Sequence, residues 1–312
     1  MNTQSLQNQM ILCRLKPFLA LSRTPHALLD LAAPALSALL WLGALPPLQV
    51  ILLGLITAFS GYTAVYALND VVDYQTDREK MQSLGRHEPQ CDLDSVFMRH
   101  PLAQGMIRYR SGILWAGAWA SLAAVGSYLL NPVCLFILLG ACLLEVLYCR
   151  LLRITYLRGI ISGWVKTSGP LAAVFAVDPN PSFSYLLFLF LWLFFWEIGG
   201  QNVPNDWGDL EEDRRLKAQT IPVRFGPAGS MRIILVSLLI AWISSLTIFW
   251  FLPRISSFSY LVGAFFGGLY FLVFPAYHLY QTRTSESAFR LFNRASYYPL
   301  AMFGITILSQ AM

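Results

Sequence analysis

Asn69-Asp70-Val71-Val72-Asp73-Tyr74-Gln75-Thr76-Asp77 and Asn205-Asp206-Trp207-Gly208-Asp209-Leu210-Glu211-Glu212-Asp213 are two copies of one pattern, N-D-x-x-D-x-x-x-D. Matched positions are offset by 136 residues (205 − 69), and each copy runs straight into an arginine, Arg78 or Arg214. At 100° per residue a helix brings the last two aspartates of each copy within about 40° of each other. The Asn and first Asp widen that face without leaving it. Each copy is a helix end stacked with hard oxygen ligands, the type magnesium prefers. One such run would read as a solvated acidic turn. Two in matching register, each just past a membrane-length apolar segment, read as facing halves of a cation site.

Outward from the motifs the chain is apolar. It has 312 residues, 56% hydrophobic and only 12% charged, against about 25% charged in soluble domains. A bilayer-crossing helix needs about 20 apolar residues. Nine segments approach this: 27–45, 47–68, 113–130, 132–148, 159–177, 185–203, 233–252, 260–280 and 295–310. The expectation is an all-α polytopic membrane protein of one domain over 1–312, made of two pseudo-repeats with motif loops 69–112 and 204–232. Short connections such as Asn131-Pro132 fall on one side. The long polar ones, 69–112, 149–158, 204–232 and 281–294, fall on the other.

The basic residues agree with that map. Twenty of the 22 Lys and Arg lie on the motif side; Arg254 lies opposite and Lys166 inside a span. The positive-inside rule makes the motif side and the N-terminus cytoplasmic and puts the C-terminus opposite. This distribution, rather than a nucleic-acid partner, accounts for the net charge of +5. The first apolar run starts too late for a signal peptide. Cys13, Cys91, Cys134, Cys142 and Cys149 form no C-x-x-C pair and read as small core residues.

A second repeat follows the first. Pro101-Leu102-Ala103-Gln104-Gly105 trails one acidic stack and Pro222-Val223-Arg224-Phe225-Gly226 the other. The gap from last aspartate to proline is 24 residues in the first copy (101 − 77) and 9 in the second (222 − 213). An insertion near 81–98, carrying Glu88, Asp92 and Asp94, explains the difference and reads as a loop or short helix over the site.

Asn69, Asp70, Asp73, Asp77, Asp206, Asp209 and Asp213 would repel one another without bound cations. Magnesium binds through a few carboxylates plus substrate phosphate oxygens. Facing stacks of this kind suit a diphosphate. Arginines and lysines nearby, Arg78, Arg150, Arg153, Arg214 and Lys217, are candidates for the phosphate oxygens. Ionisable groups inside a membrane read as functional by default. Glu197, Gln201 and Asn205 form a ladder into the second motif, and Tyr62, Tyr66, Asn69 and Asp73 line up before the first. Lys166 lies about 10 Å deep at 1.5 Å per residue, where snorkelling is costly. Aromatic faces beneath a diphosphate site suit an allylic carbocation. Asp30 and Glu145 are also embedded, without an assignable partner.

These motifs, with Thr220-Ile221-Pro222-Val223-x-x-Gly226 and Tyr148 after the fourth span, resemble the UbiA superfamily of intramembrane aromatic prenyltransferases. The resemblance covers nearly the whole chain. It implies a helical bundle around a central cavity with a cytoplasmic polar cap. It also implies Mg²⁺-dependent ionisation of an isoprenyl diphosphate and transfer to an aromatic or quinone-precursor acceptor in the lipid bilayer. Asn69, Asp73, Asp209 and Asp213 would then be the core catalytic clamp, with Asp70, Asp77 and Asp206 as further metal ligands. Arg78, Tyr148, Arg153, Lys166 and Lys217 would hold diphosphate, and Tyr62, Tyr66, Glu197 and Gln201 would line the substrate cavity. One departure is visible: the family's Tyr-x-x-x-Lys is here Tyr148-Cys149-Arg150-Leu151-Leu152-Arg153, with Arg153 standing in for the lysine. An acceptor-free terpene cyclase shares these features. A cation-coupled transporter would need broken helices at the midplane, whereas these carboxylates lie at helix ends.

Overall fold

The computed structural model describes residues 15–84, 97–252 and 258–311. Among them every regular element is a helix. Eight are long and apolar enough to cross a membrane: α1 (Thr24–Leu42), α2 (Leu48–Val72), α4 (Tyr109–Leu130), α5 (Pro132–Arg150), α6 (Arg158–Val177), α7 (Phe183–Gly208), α9 (Ile221–Phe251) and α10 (Phe258–Thr282). Two short polar helices, α3 (Tyr74–Leu84) and α8 (Leu210–Arg215), follow the motif-bearing ends of α2 and α7. The chain finishes with α11 (Ser285–Ser296) and α12 (Tyr298–Ala311). Arg86, Glu88, Cys91, Asp92, Asp94, Cys13, Arg14 and Arg254 lie outside the described residues, so most of the 81–98 insertion does too.

The helices run past their expected ends where polar residues continue the hydrogen-bond ladder. α2 extends to Val72 and α7 to Gly208, so both motifs are helical. α9 starts at Ile221 rather than 233, and Gly226 kinks it (φ 65, ψ −176). The ninth expected span is realised as α12, 14 residues long and shorter than the other eight. Its approach, 281–294, is a helix rather than a polar connection. Ala288, Leu291, Phe292 and Ala295 recur at helical spacing and are buried. The Thr284 Oγ1 accepts from the Ser287 N–H at 3.2 Å and caps that helix.

Packing closes the helices around a central space. α1 lies against α6 and α12, α2 against α4 and α5, α6 against α5 and α7, and α7 against α9; α12 reaches α10 and completes the circuit. The larger core gathers Trp192, Trp196, Tyr185, Ile234, Tyr260 and Leu291. A smaller one joins Leu21, Ala67, Val71, Leu102 and Ile107 under the first motif. Outside the bundle, Leu114, Phe136, Leu143 and Phe258 are exposed. Hydrocarbon solvates such a surface where water would not. The chain is an integral membrane protein with many crossings.

Candidate active site

The two motifs have the same local geometry. Asp73 and Asp209 each sit at a break between two helices, at φ −85, ψ 2 and φ −91, ψ 13. The helical bonds carry across both breaks. Asp73 N–H donates to Asn69 O at 2.9 Å and Asp77 N–H to Asp73 O at 2.9 Å; Asp209 N–H donates to Asn205 O at 3.1 Å and Asp213 N–H to Asp209 O at 3.0 Å. The downstream glycines correspond as well, with Gly105 at φ 72 and Gly226 at φ 65. Both P-x-x-x-G stretches therefore end on a left-handed glycine, a conformation that costs other residues energy.

Cations bind the two acidic stacks together. Arg23 donates to Asn69 Oδ1 at 3.2 Å and lies 3.7 Å from Asp70. His100 Nδ1 is 2.9 Å from Asp77. The preceding residue, Arg99, reaches the other motif, 3.1 Å from Asp209 and 3.9 Å from Glu212. Arg158 lies 3.8 Å from Asp206 and donates to the Tyr148 hydroxyl, its guanidinium 4.0 Å from the ring centroid. Asn202 donates to the same hydroxyl at 3.1 Å.

The protonation equilibria carry the imprint of this crowding. Burial pushes Asp213 up to about 6, with Asp209 repulsion reinforcing it and Lys80 opposing. Burial also raises Asp73, helped by Asp77. Burial would raise Asp209 and Asp77 too, but Arg99 and Lys80 outweigh it at Asp209, and His100 and Lys80 at Asp77; both end below their ordinary values. Burial works to lower Lys80 and His100. The charges of Asp77, Asp209 and Asp213 outweigh it at Lys80, and those of Asp77 and Asp70 at His100, so both are raised. Lys80 thus feels both motifs at once.

Beneath the stacks lies a cavity of ≈ 620 Å³ bounded by α1, α2, α5, α6 and α7, a size common for small-molecule sites. Its upper wall is polar, with Arg23, Asn69, Glu145, Tyr148, Asn202 and Asn205. Its deep wall is apolar, with Leu39, Val50, Ile51, Leu138 and Val177. The polar side of α7 reaches this space through a π-helical segment, Glu197–Asn202, a distortion frequent at functional sites. Gly199 and Gly200 make room for it: a Cβ would lie 2.8 Å from Ser237 Cβ at Gly199 and 2.9 Å from Ala295 Cβ at Gly200. Glu197, Gln201, Asn202 and Asn205 all line the cavity.

The embedded charges have partners. Lys166 Nζ donates to Asp30 Oδ2 at 2.7 Å and to the Tyr66 hydroxyl at 3.0 Å. Tyr66 in turn donates to Asp30. Asn69 donates to Glu145 Oε1 at 2.6 Å and to Cys149 Sγ at 3.3 Å. Glu197 Oε1 accepts from Ser162 at 2.6 Å, while its Oε2 is buried without a hydrogen-bond partner.

Of the residues expected at the site, Asn69, Tyr62, Tyr66, Tyr148, Lys166, Glu197 and Gln201 line the cavity, while Asp70, Asp77, Asp206 and Asp209 are held by Arg23, His100, Arg158 and Arg99. Lys166 sits in the wall, engaged by Asp30. Arg78 and Lys217 are exposed. Arg153 pairs with Glu79 at the surface, and Arg158 takes the place beside Tyr148. Sequence reasoning missed Arg23, Lys80, Arg99, His100 and Arg158 as site residues. The available signal was position: His100 and Arg99 directly precede the Pro101 turn, and Lys80 stands three residues past Asp77.

The donor set fits a hard divalent cation. Ligand atoms of Asp70, Asp77 and His100 lie within 4.8 Å of one another. Asn205 Oδ1 is buried at the cavity mouth with no partner. The remaining donors are carboxylates and an amide, which match magnesium.

Known proteins resemble this chain in fold and sequence. A digeranylgeranylglyceryl phosphate synthase of Thermococcus sibiricus is 24% identical over 220 residues, 70% of this chain and 72% of that protein. The apo structure of a UbiA homolog from Aeropyrum pernix K1 superposes with a TM-score of 0.73 at 18% identity, covering 92% and 98% of the two chains. A UbiA homolog from Archaeoglobus fulgidus bound to GPP and Mg²⁺ gives a TM-score of 0.68 at 17% identity, covering 95% and 100%. The model of the UbiA prenyltransferase family matches residues 31–303, most of the sequence, so the chain belongs to that family and is a prenyltransferase.

Proposed function

We propose that this protein transfers an isoprenyl group from an isoprenyl diphosphate to an acceptor inside the membrane, with Mg²⁺ as cofactor. The observation that carries it is the pair of acidic motifs at the mouth of an otherwise apolar cavity. A diphosphate bound at the mouth would lay its tail along the apolar wall formed by Val50, Ile51 and Leu138. The Archaeoglobus fulgidus homolog bound to GPP and Mg²⁺ supports the pairing of ligand and ion.

Bound magnesium supplies positive charge that stabilises the leaving diphosphate. The Asn69, Asp73, Asp209 and Asp213 side chains would hold it, with Asp70, Asp77 and Asp206 as further ligands. Arg158 and Lys80, already poised at the mouth, take diphosphate oxygens as charge develops there. Tyr62 and Tyr66 face the allylic carbon, where their rings stabilise cationic character. The acceptor forms its bond to that carbon as the C–O bond breaks. Its proton passes to Glu197 Oε2, the buried carboxylate oxygen without a partner.

For the acceptor, the tyrosine-lined wall supports an aromatic or quinone precursor. The name of the Thermococcus sibiricus relative supports a second reading, the hydroxyl of a prenylglyceryl phosphate. Purified protein incubated with prenyl diphosphates of increasing length, Mg²⁺ and one acceptor of each class distinguishes them by product. Asp73→Ala and Asp209→Ala should abolish turnover while the protein stays folded. Glu197→Gln should lower kcat by about 10²–10⁴, the usual worth of a general base, with KM for the diphosphate unchanged. Activity that survives EDTA sinks the magnesium mechanism.

A further inference from the structure

Outside the central cavity, whose lining includes Phe292 of α11, a second hollow of ≈ 550 Å³ between α10 and α11 is lined by Phe274, Pro275, His278, Arg290, Asn293 and Arg294. Its position is unusual for its charge. Ser285, the first residue of α11, touches Trp207 O at 3.4 Å and so lies level with the second motif. Arg294 is nine residues further along (294 − 285), about 14 Å at the helical rise. Its guanidinium lies 4.9 Å from the ring centroid of Tyr270, itself twelve residues short of the end of α10 (282 − 270), about 18 Å. Both distances put Arg294 below the polar rim, yet it is exposed.

An arginine at that depth is expensive unless an anion accompanies it. Arg290, one turn nearer the rim, has Glu286 at 2.6 Å. Among the described residues Arg294 has only the Tyr270 ring. Below it the outer face of α10 presents Tyr270 and Phe266, with Phe274 about level with the arginine, and all three rings are exposed. A cation above an aromatic ladder matches a molecule with an anionic head and a hydrocarbon tail.

We infer that this hollow binds an anionic glycerophospholipid of the motif-side leaflet, its phosphate on Arg294 and Arg290 and one acyl chain along Phe274, Tyr270 and Phe266. The guanidinium fork suits phosphate oxygens, and basic pockets between transmembrane helices are a known route to headgroup recognition. The site is separate from the catalytic mouth and does not depend on the acceptor.

The test uses the full chain in detergent micelles. Native mass spectrometry and thermal unfolding are recorded with phosphatidylglycerol, with phosphatidylcholine of the same acyl chains, with glycerol 3-phosphate and with inorganic phosphate. Phosphatidylglycerol should be retained and raise Tm, phosphatidylcholine much less, and the two soluble phosphates not at all. Arg294→Gln should weaken phosphatidylglycerol retention by about tenfold or more, the worth of one charge-assisted bond. Arg283→Gln, outside the hollow on the same rim, should leave it unchanged. Equal retention of the two lipids by the native protein overturns the proposal, as does an Arg294→Gln variant that holds phosphatidylglycerol like the native chain. Binding of glycerol 3-phosphate as tight as the lipid would make this a free-phosphate site and overturn the lipid assignment.

Discussion

Lys166 shows how a partner reverses the meaning of a residue. Read alone, a lysine inside a membrane is a burden, and replacing it with methionine should leave stability intact or improve it. Held 2.7 Å from Asp30, with both side chains largely buried, it is half of an ion pair. Lys166→Met then strands a buried carboxylate, which should cost roughly 3 kcal/mol or more. Adding Asp30→Asn should recover most of that; thermal unfolding of the two variants measures it. Asp213 allows a second prediction. A carboxyl whose folded pKa lies above its unfolded one stabilises the fold below about 4, and that contribution is lost as pH rises through about 6. Acidifying metal-free protein into that window should therefore strengthen this contribution while protonating the ligand. Mg²⁺ affinity should climb as pH rises through about 6, and Asp213→Asn should flatten that step; Mg²⁺ titrations of Tm at each pH decide it. The carboxylates were legible because they recur locally at helical spacing. Arg23, Arg99 and Arg158 were not, because the motif residues they hold, Asn69, Asp209 and Asp206, lie 46, 110 and 48 residues (206 − 158) away in the chain and no local pattern encodes such contacts.

Among the elements, the repeat was legible at its most rigid points. The P-x-x-x-G stretches follow both acidic stacks in the sequence, and both of their glycines adopt positive φ. At Gly226 and Gly105 an added Cβ would meet nothing within 4 Å. The penalty of substitution is then backbone alone. Gly226→Ala should destabilise by about 1–3 kcal/mol, since φ 65, ψ −176 is a region essentially confined to glycine, whereas Gly54→Ala, mid-helix and equally unobstructed, should be neutral or mildly stabilising. Differential scanning of both variants checks the contrast. The helix at 285–296 was illegible for the opposite reason. Its charged positions Glu286, Arg290 and Arg294 dominate a hydropathy reading, while its buried side is small residues, Ser287, Ala288 and Ala295, with two large apolar ones.

For the molecule as a whole, apolar runs of membrane length were enough to predict an all-helical membrane protein, and the packing of α12 on α1 and α10 was beyond them. Contacts between distant helices depend on shape, which periodicity does not carry. Orientation in the bilayer rests on the clustering of basic residues. Single cysteines at Gln104 and Arg215, in a background freed of native cysteines, should react with an impermeant maleimide only from the cytoplasm. One at Asn180, in the opposite connection, should react only from the other face. The reverse pattern would turn the protein over in the membrane and put the diphosphate site outside.

Arg99 and His100 are consecutive, and each holds a different motif. The resting mouth therefore carries its own counter-ions on a single strip of backbone. Loading metal then competes with tethered cations for the same carboxylates, since Asp209 is held by Arg99 and Asp77 by His100. A mouth built from carboxylates alone would swing from strongly negative to neutral each time substrate arrived, repelling anionic headgroups and diphosphate alike in its empty state. Here an incoming diphosphate meets arginine and histidine side chains already placed among the carboxylates.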